Sequence, residues 1–193
     1  MILIVDNYDS FVHNLARYVR ECGRETVVVR NDAVTVDDCL SLAPAGVIIS
    51  PGPGRPANAG LSTALICDMP CETPLLGVCL GHQCLIEAFG GETRRAVRPL
   101  HGEASAIRHC KTGIFRDIAS PTLGGRYHSL IATLGSNSSL EETAWSEEAE
   151  VMAVAHHIRP WFGVQFHPES LLTPEGRKIV MNFLSYCTEE GSS

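Results

Sequence analysis

Short, uninterrupted apolar runs alternate with stretches of helical periodicity through the first half of the chain. Ile2-Leu3-Ile4-Val5 gives way to the turn-forming Asp6-Asn7-Tyr8-Asp9. Ser10 then stands where an N-cap is wanted for a helix that carries Phe11, Leu15, Tyr18 and Val19 on one face and ends near Gly23. Residues 26–29, 46–49 and 75–78 are further apolar runs, separated by two weaker helical patterns. A strand that is apolar at every position is buried on both faces, the situation of parallel strands covered by crossover helices. The pattern predicts an α/β fold with an open, mostly parallel (mixed) sheet flanked by helices.

The second half changes character. From 92 to 164 the segments are short, β-prone and punctuated by Gly, Pro, Ser and Asn, adding short strands to the sheet. Thr143-Ala144-Trp145, Val151-Met152-Ala153-Val154 and Phe162-Gly163-Val164-Gln165-Phe166 read as strands. A helix over 174–186, apolar at Ile179, Val180, Phe183 and Leu184, closes the domain, with Thr173 as N-cap and Pro174 at the first helical position. No internal repeat or linker marks a boundary, and 193 residues suit one compact domain. The expectation is a single domain over 1–188 and a polar, frayed tail over 189–193.

Composition narrows the function classes. With 45% hydrophobic and 19% charged residues there is apolar matter for a core, which argues against disorder. The 15 Lys and Arg against 22 Asp and Glu give a net charge of −7. No basic run offers a face to a phosphate backbone, so nucleic acid and anionic membrane surfaces are poor partners. No stretch approaches the ~20 apolar residues needed to span a bilayer. The N-terminus reads as a strand, without the basic region of a signal peptide. The eight cysteines are scattered and include no Cys-x-x-Cys pair, which favours free thiols in a reducing cytoplasm over a disulfide framework or a structural zinc.

The chemistry concentrates in three segments. Leu76-Gly77-Val78-Cys79-Leu80-Gly81-His82-Gln83 places Gly-x-Cys-x-Gly between a strand and a helical pattern over 83–89. That is the layout of a nucleophile elbow, with cysteine at the strained turn and a helix N-terminus behind it to favour the thiolate. Phe166-His167-Pro168-Glu169 ends a strand with a base and a carboxylate two residues apart, the groups a cysteine nucleophile needs to move and orient a proton. Ser50-Pro51-Gly52-Pro53-Gly54 follows a buried strand and leaves backbone N–H groups free. Gly52 and the amide of Leu80 are then candidate oxyanion donors. Taken alone, each segment also fits a bland reading: a small buried cysteine, a solvated histidine, a simple Pro-Gly turn. Cys79, His82 and Cys84 do not make a metal site, because Cys84 lies roughly 140° around a helix from Cys79.

Together these segments resemble the class I glutamine amidotransferase family, and within it the small glutaminase subunits of anthranilate synthase and aminodeoxychorismate synthase. Asp6-Asn7-Tyr8-Asp9-Ser10-Phe11, Leu100-His101-Gly102, Tyr127-His128-Ser129-Leu130 and Gln165-Phe166-His167-Pro168-Glu169-Ser170 share in the resemblance, which covers nearly the whole chain. It implies a Cys79–His167–Glu169 triad that hydrolyses L-glutamine through a thioester, with Gly52, Pro53, Gly54, Leu80, Gln83, Ser129 and Leu130 binding the substrate. It also implies a cytoplasmic chain without a cofactor of its own, delivering ammonia to a chorismate-binding synthase large subunit (component I) that holds the Mg²⁺. His101 and His128 are then divided between partner contact and structure, and His156-His157 reads as a solvated pair near a turn. Glu103 departs from the subgroup, where Lys often follows Leu-His-Gly. Two readings compete: a catalytically idle interaction subunit on the same fold, opposed by the intact triad, and the glutaminase subunit of another biosynthetic enzyme, opposed by the Asp6-to-Phe11 and Leu-His-Gly segments. Tyr8 and the segment 143–147 lean toward aminodeoxychorismate over anthranilate.

Overall fold

The computed structural model describes residues 1–187; the tail expected over 189–193 lies outside the described residues. The first half contributes β1 (Ile2–Asp6), α1 (Val12–Glu21), β2 (Thr26–Arg30), α2 (Val36–Ser41), β3 (Gly46–Ile49), α3 (Ser62–Asp68), β4 (Leu75–Val78) and α4 (Leu80–Ala88). The second half contributes β5 (Glu92–Arg95), β6 (Glu103–His109), β7 (Thr122–Arg126), β8 (Leu130–Thr133), β9 (Leu140–Trp145), β10 (Val151–His156), β11 (Trp161–Val164) and α5 (Gly176–Leu184). Nine strands form one sheet in the order β2-β1-β3-β4-β11-β10-β9-β6-β7, and β5 pairs with β8 in a small second sheet. β2 through β11 run parallel, and the remaining neighbours, from β10 outward, are antiparallel. The open, mixed α/β sheet expected from the apolar runs is the one observed, with the five strands from β2 to β11 parallel throughout.

The continuous apolar runs fill both faces of the sheet. Ile2 and Ile4 pack with Val12, Leu15 and Val19 of α1 and with Ile179 and Phe183 of α5. Leu3 and Val5, pointing the other way, pack with Cys39, Leu65, Ile66 and Leu85 under α2, α3 and α4. Each such fully buried side chain stabilises the fold by roughly 1.5–3 kcal/mol.

Three boundaries differ from the sequence reading, two because a polar side chain is used elsewhere and one because the backbone leaves the sheet. α1 begins at Val12 rather than after a Ser10 cap; Asp9 Oδ1 accepts from the Phe11 amide at 2.7 Å, and Asp6 Oδ1 accepts from the amides of Tyr8 and Asp9. α5 begins at Gly176, two residues beyond the expected start, because the Thr173 hydroxyl ties down the chain around His167 instead of capping a helix. β11 ends at Val164: Gln165 still donates its amide to Met152, but His167 leaves the sheet and bridges to Gly125 at the end of β7.

Candidate active site

The C-terminal ends of β1, β3, β4 and β11 lie side by side in the sheet, so the segments that follow them, Asn7, Ser50–Gly54, Cys79 and Gln165–Glu169, converge at one edge. In open α/β sheets this edge is where ligands bind. β1 is flanked by β2 on one side and β3 on the other, so the chain reverses direction across the sheet there. At that crevice the Asn7 amide donates to Ser50 Oγ and Asn7 Nδ2 to the Ser50 carbonyl, both at 2.9 Å. Asn31 and Ser62 donate to Asn7 Oδ1 in turn. This buried knot holds the 50–54 loop against β1. A Cβ on Gly52 would lie 2.5 Å from the Asn7 carbonyl oxygen, so glycine is required for the loop to close on Asn7.

Cys79 adopts φ 51° and ψ −100° between β4 and α4, a conformation non-glycine residues hold only under strain of about 1–3 kcal/mol. The turn is enforced by backbone packing: a Cβ on Gly81 would meet the Ile49 carbonyl oxygen at 2.3 Å, and one on Gly77 the Gly81 carbonyl oxygen at 2.5 Å. Cys79 donates its own amide to Val164 of β11. The elbow therefore has the form its spacing predicts, and the Leu80 amide opens α4, where N–H groups lack an intrahelical acceptor.

His167 and Cys79 line the same cleft, together with Phe11, Gly52 and Tyr127. His167 Nδ1 sits 2.7 Å from Glu169 Oε1; the carboxylate can only accept, so Nδ1 carries the proton and Nε2 is turned to chemistry. Both side chains are buried, and Glu169 Oε2 and His167 Nε2 have no hydrogen-bond partner among the described residues. Burial alone favours a neutral imidazole. The sulfur of Cys79 and the carboxylate of Glu169 outweigh it, and the His167 pKa stands well above its ordinary 6.5. The edges of Tyr127 and Phe11 pack on the ring, at centroid distances of 4.9 and 6.0 Å.

Beside the elbow is a cavity of about 180 Å³ lined by Gly52, Pro53, Gly54, Cys79, Leu80, Gln83, Tyr127, His128, Ser129 and Leu130. Every residue the resemblance assigned to substrate binding faces this one space. A larger cleft, of about 380 Å³ at the N-terminal end of β11, has no cysteine in its lining.

Beneath the cavity runs a polar layer that sequence reading did not resolve. Arg126 is fully buried, donating to Glu150 Oε2 at 2.6 Å, to Glu148 at 3.4 Å and, through Nε, to His128 Nε2 at 3.0 Å. A guanidinium only donates, so His128 Nε2 is unprotonated and Nδ1–H donates to the Leu130 carbonyl at 3.0 Å. Burial and the Arg126 charge push the His128 pKa down to about 3. The divided reading of this histidine resolves in favour of a buried, neutral strut. His101 is exposed, with its ring 6.2 Å from that of Tyr127 at the rim of the cleft.

His82 and Cys84 lie in the core of α4. Burial, with His128 nearby, takes the His82 pKa to about 3, and burial pushes the Cys84 thiol up to about 12. Among the described residues no group of three or more His, Cys, Asp or Glu could hold a metal ion, and no helix is long and apolar enough to cross a membrane. All eight cysteines are free thiols. Glu103 pairs with Arg98 at 3.2 Å on the surface. Of the two adjacent histidines, His157 is exposed as expected, but His156 is half-buried against Phe89 and accepts from the amides of Ile158 and Arg159.

Gln165 is the residue the sequence reading left without a role. It is fully buried, and its Nε2 lies 3.6 Å from Cys79 Sγ. A glutamine inside the apolar run from Trp161 to Phe166 was the available clue, because a buried carboxamide must find partners.

Residues 3–187 match the family model for class-I glutamine amidotransferases. The chain belongs to that family. It is 46% identical over 185 residues to aminodeoxychorismate synthase component 2 of Escherichia coli, covering 95% of this chain and 99% of the relative. It is 45% identical over 193 residues to aminodeoxychorismate/anthranilate synthase component 2 of Bacillus subtilis, covering 98% of each chain. Among solved structures, a glutamine amidotransferase from Thermotoga maritima shares the fold with a TM-score of 0.75 at 15% identity, over 95% of each chain. As a class I glutamine amidotransferase, the chain carries its elbow, its His-x-Glu segment and its cavity on one edge of that fold.

Proposed function

We propose that this amidotransferase hydrolyses L-glutamine at Cys79 and passes the ammonia to a chorismate-using synthase subunit. The observation that carries the reading is the meeting of a strained Cys79, a proton-rich His167 anchored by Glu169, and a glutamine-sized cavity at one sheet edge. Cys79 gives its thiol proton to His167 Nε2, its Sγ attacks the side-chain amide carbon, and the oxyanion is held by the amides of Leu80 and Gly52. His167 gives its Nε2 proton to the departing nitrogen as the C–N bond breaks, so that ammonia leaves and the glutamyl group stays on Cys79 as a thioester. His167 then takes a proton from water as the oxygen attacks the thioester, and glutamate is released. Glu169 fixes the tautomer and offsets the imidazolium charge without taking the proton.

The head of the substrate is recognised at the far end of the cavity. Gln83 Nε2 is already spent on the Leu130 carbonyl (3.2 Å) and on Gln165 Oε1 (3.1 Å). Only its Oε1 acceptor remains, which suits the α-ammonium group of glutamine; the backbone of Ser129 and Leu130, with Gly52–Gly54, is left to complete the pocket.

Relatives at 45–46% identity carry both the aminodeoxychorismate and the anthranilate names, so the proposal is for the chemistry they share. The acceptor is a component I subunit that binds chorismate, any Mg²⁺ belongs to that partner, and the chain itself works in the cytoplasm without a cofactor. The test is Cys79→Ser in the assembled complex. Glutamine-dependent synthesis is abolished while synthesis from added ammonium salt persists; loss of both activities would make Cys79 structural and defeat the reading.

A further inference from the structure

We propose that Gln165 is a further catalytic residue: its carboxamide N–H, aimed at Cys79 Sγ, stabilises the thiolate, and Gln83 holds that carboxamide in the orientation that donates. The proposal deepens the reading of Cys79 as nucleophile and rests on it.

The orientation follows from one group that cannot turn round. The Leu130 carbonyl only accepts, so the Gln83 atom 3.2 Å from it is the nitrogen. That nitrogen's second hydrogen points to Gln165 at 3.1 Å, so the Gln165 atom receiving it is the oxygen. The nitrogen of Gln165 is thereby turned to Cys79 Sγ, 3.6 Å away, within hydrogen-bonding range for sulfur. A flipped Gln165 would set its N–H groups against those of Gln83 and its oxygen against the sulfur, with Gln165 itself fully buried. The Leu130 carbonyl is itself fixed by His128 Nδ1–H, whose tautomer Arg126 dictates. The Leu130 carbonyl thus accepts from both His128 and Gln83, and from Gln83 through Gln165 the donors run one way, toward the sulfur, so that these two bonds strengthen each other.

Burial makes the bond count. Gln165 is fully buried and Cys79 nearly so, and a donor to a charged acceptor in such a place contributes about twice what a neutral pair does. The main-chain position of Gln165 is separately secured by the hydrogen bond its N–H donates to the Met152 carbonyl, so the side chain is not needed to complete the sheet. The relay also joins substrate recognition to the nucleophile: an α-ammonium group on Gln83 Oε1 polarises the same carboxamide that orients Gln165.

The titratable groups around Cys79 are His167 and Glu169 from the segment after β11, Tyr127 and His128 from the turn after β7, His82 on α4, and Tyr8, Asp9 and His101 in the lining of the same cleft. His82 and His128 stay neutral above about pH 5, since their pKa values are about 3. On a His101→Asn background, which takes the imidazole at the rim out of the cleft, the pH dependence of Cys79 alkylation reads the Cys79–His167 pair.

The experiment follows the alkylation rate of Cys79 by iodoacetamide across about pH 5–9, with mass spectrometry of the Cys79 peptide separating it from exposed Cys67, Cys71 and Cys110. Gln165→Met removes the donor at similar length, and Gln165→Glu puts an acceptor there. Both are expected to move the thiolate limb up by about one pH unit, an approximately tenfold loss of rate on the acid side, with Glu the larger. Gln83→Met, which frees the carboxamide to rotate, gives a smaller shift in the same direction, so the relay stays testable if a Gln165 variant fails to fold. A wild-type profile in folded Gln165 variants, or in Gln83→Met when those do not fold, overturns the proposal. Absence of Cys79 alkylation in the unmodified protein would instead overturn the nucleophile assignment on which it rests.

Discussion

Arg126 and Glu150 face each other at 2.6 Å with side chains 0% and 2% exposed, directly below the cavity beside Cys79. Glu150 also accepts the Val97 amide, so the pair ties the 96–102 segment to the floor of the site. Breaking a buried pair leaves an uncompensated charge and costs about 3–5 kcal/mol. Glu150→Gln should destabilise the protein toward the low end of that range, because Glu148 still neutralises part of the guanidinium. Glu148→Gln, at a site open to water, should cost less than about 1 kcal/mol. Urea unfolding of the two variants checks the ranking; equal effects would show that burial does not decide the strength of this network.

The three residues around the thiol should not be equivalent. Cys79→Ala is expected to be the most severe, His167→Ala next, and Glu169→Gln milder, at roughly 10- to 10³-fold in turnover, because a thiol needs less help from its orienting acid than a hydroxyl does. Glutaminase turnover in the assembled complex measures this, with ammonia-dependent synthesis as the internal control. Wild-type turnover in Glu169→Gln would remove Glu169 from its role and require another carboxylate for His167.

Neighbouring histidines should respond to pH in opposite senses. For His167 the folded pKa lies above the unfolded 6.5, so its stabilisation is complete below about 6.5 and fades as pH rises through the folded value. His82 and His128, with folded values of about 3, take up a proton on unfolding, so each costs stability as pH falls from about 6.5 toward 3. The slope is about 1.4 kcal/mol per pH unit for each. His82→Phe should therefore flatten the acid side of the stability curve, and the deficit of His167→Gln should be larger near pH 6 than near pH 9. Parallel curves for wild type and both variants would contradict this.

Thr173 is expected to act on turnover from outside the cavity. Its hydroxyl donates to the His167 carbonyl at 2.6 Å and accepts the Gly125 amide at 2.9 Å, which fixes the backbone that carries His167. Thr173→Val leaves both backbone groups buried without that partner and should cost about 1–3 kcal/mol. Glutaminase turnover should fall with it, while Thr173→Ser restores both; wild-type stability and turnover in Thr173→Val would take the hydroxyl out of this role.

The sequence by itself determined the elements whose cause is local. Apolar runs such as Ile2–Val5 specified parallel strands buried on both faces, and Gly77, Cys79 and Gly81 specified the elbow, because only glycine tolerates the close backbone contacts that turn imposes. His167 and Glu169 were legible as a pair because two residues at a strand's end suffice to bring imidazole and carboxylate together. What the tertiary structure decided were relationships between side chains distant in sequence. Thr173 looked like a helix cap, since hydroxyls cap helices, until the fold brought the His167 carbonyl to it. Arg126 and Glu150 carried no sequence signal of their own, and Gln165 stood within a strand with no assigned role. Their hydrogen bonds to residues between 2 and 86 positions away set tautomer and orientation at the thiol, and no local pattern encodes such partners. Periodicity reports which face a residue occupies; which donor meets which acceptor there depends on how the strands order themselves in the sheet.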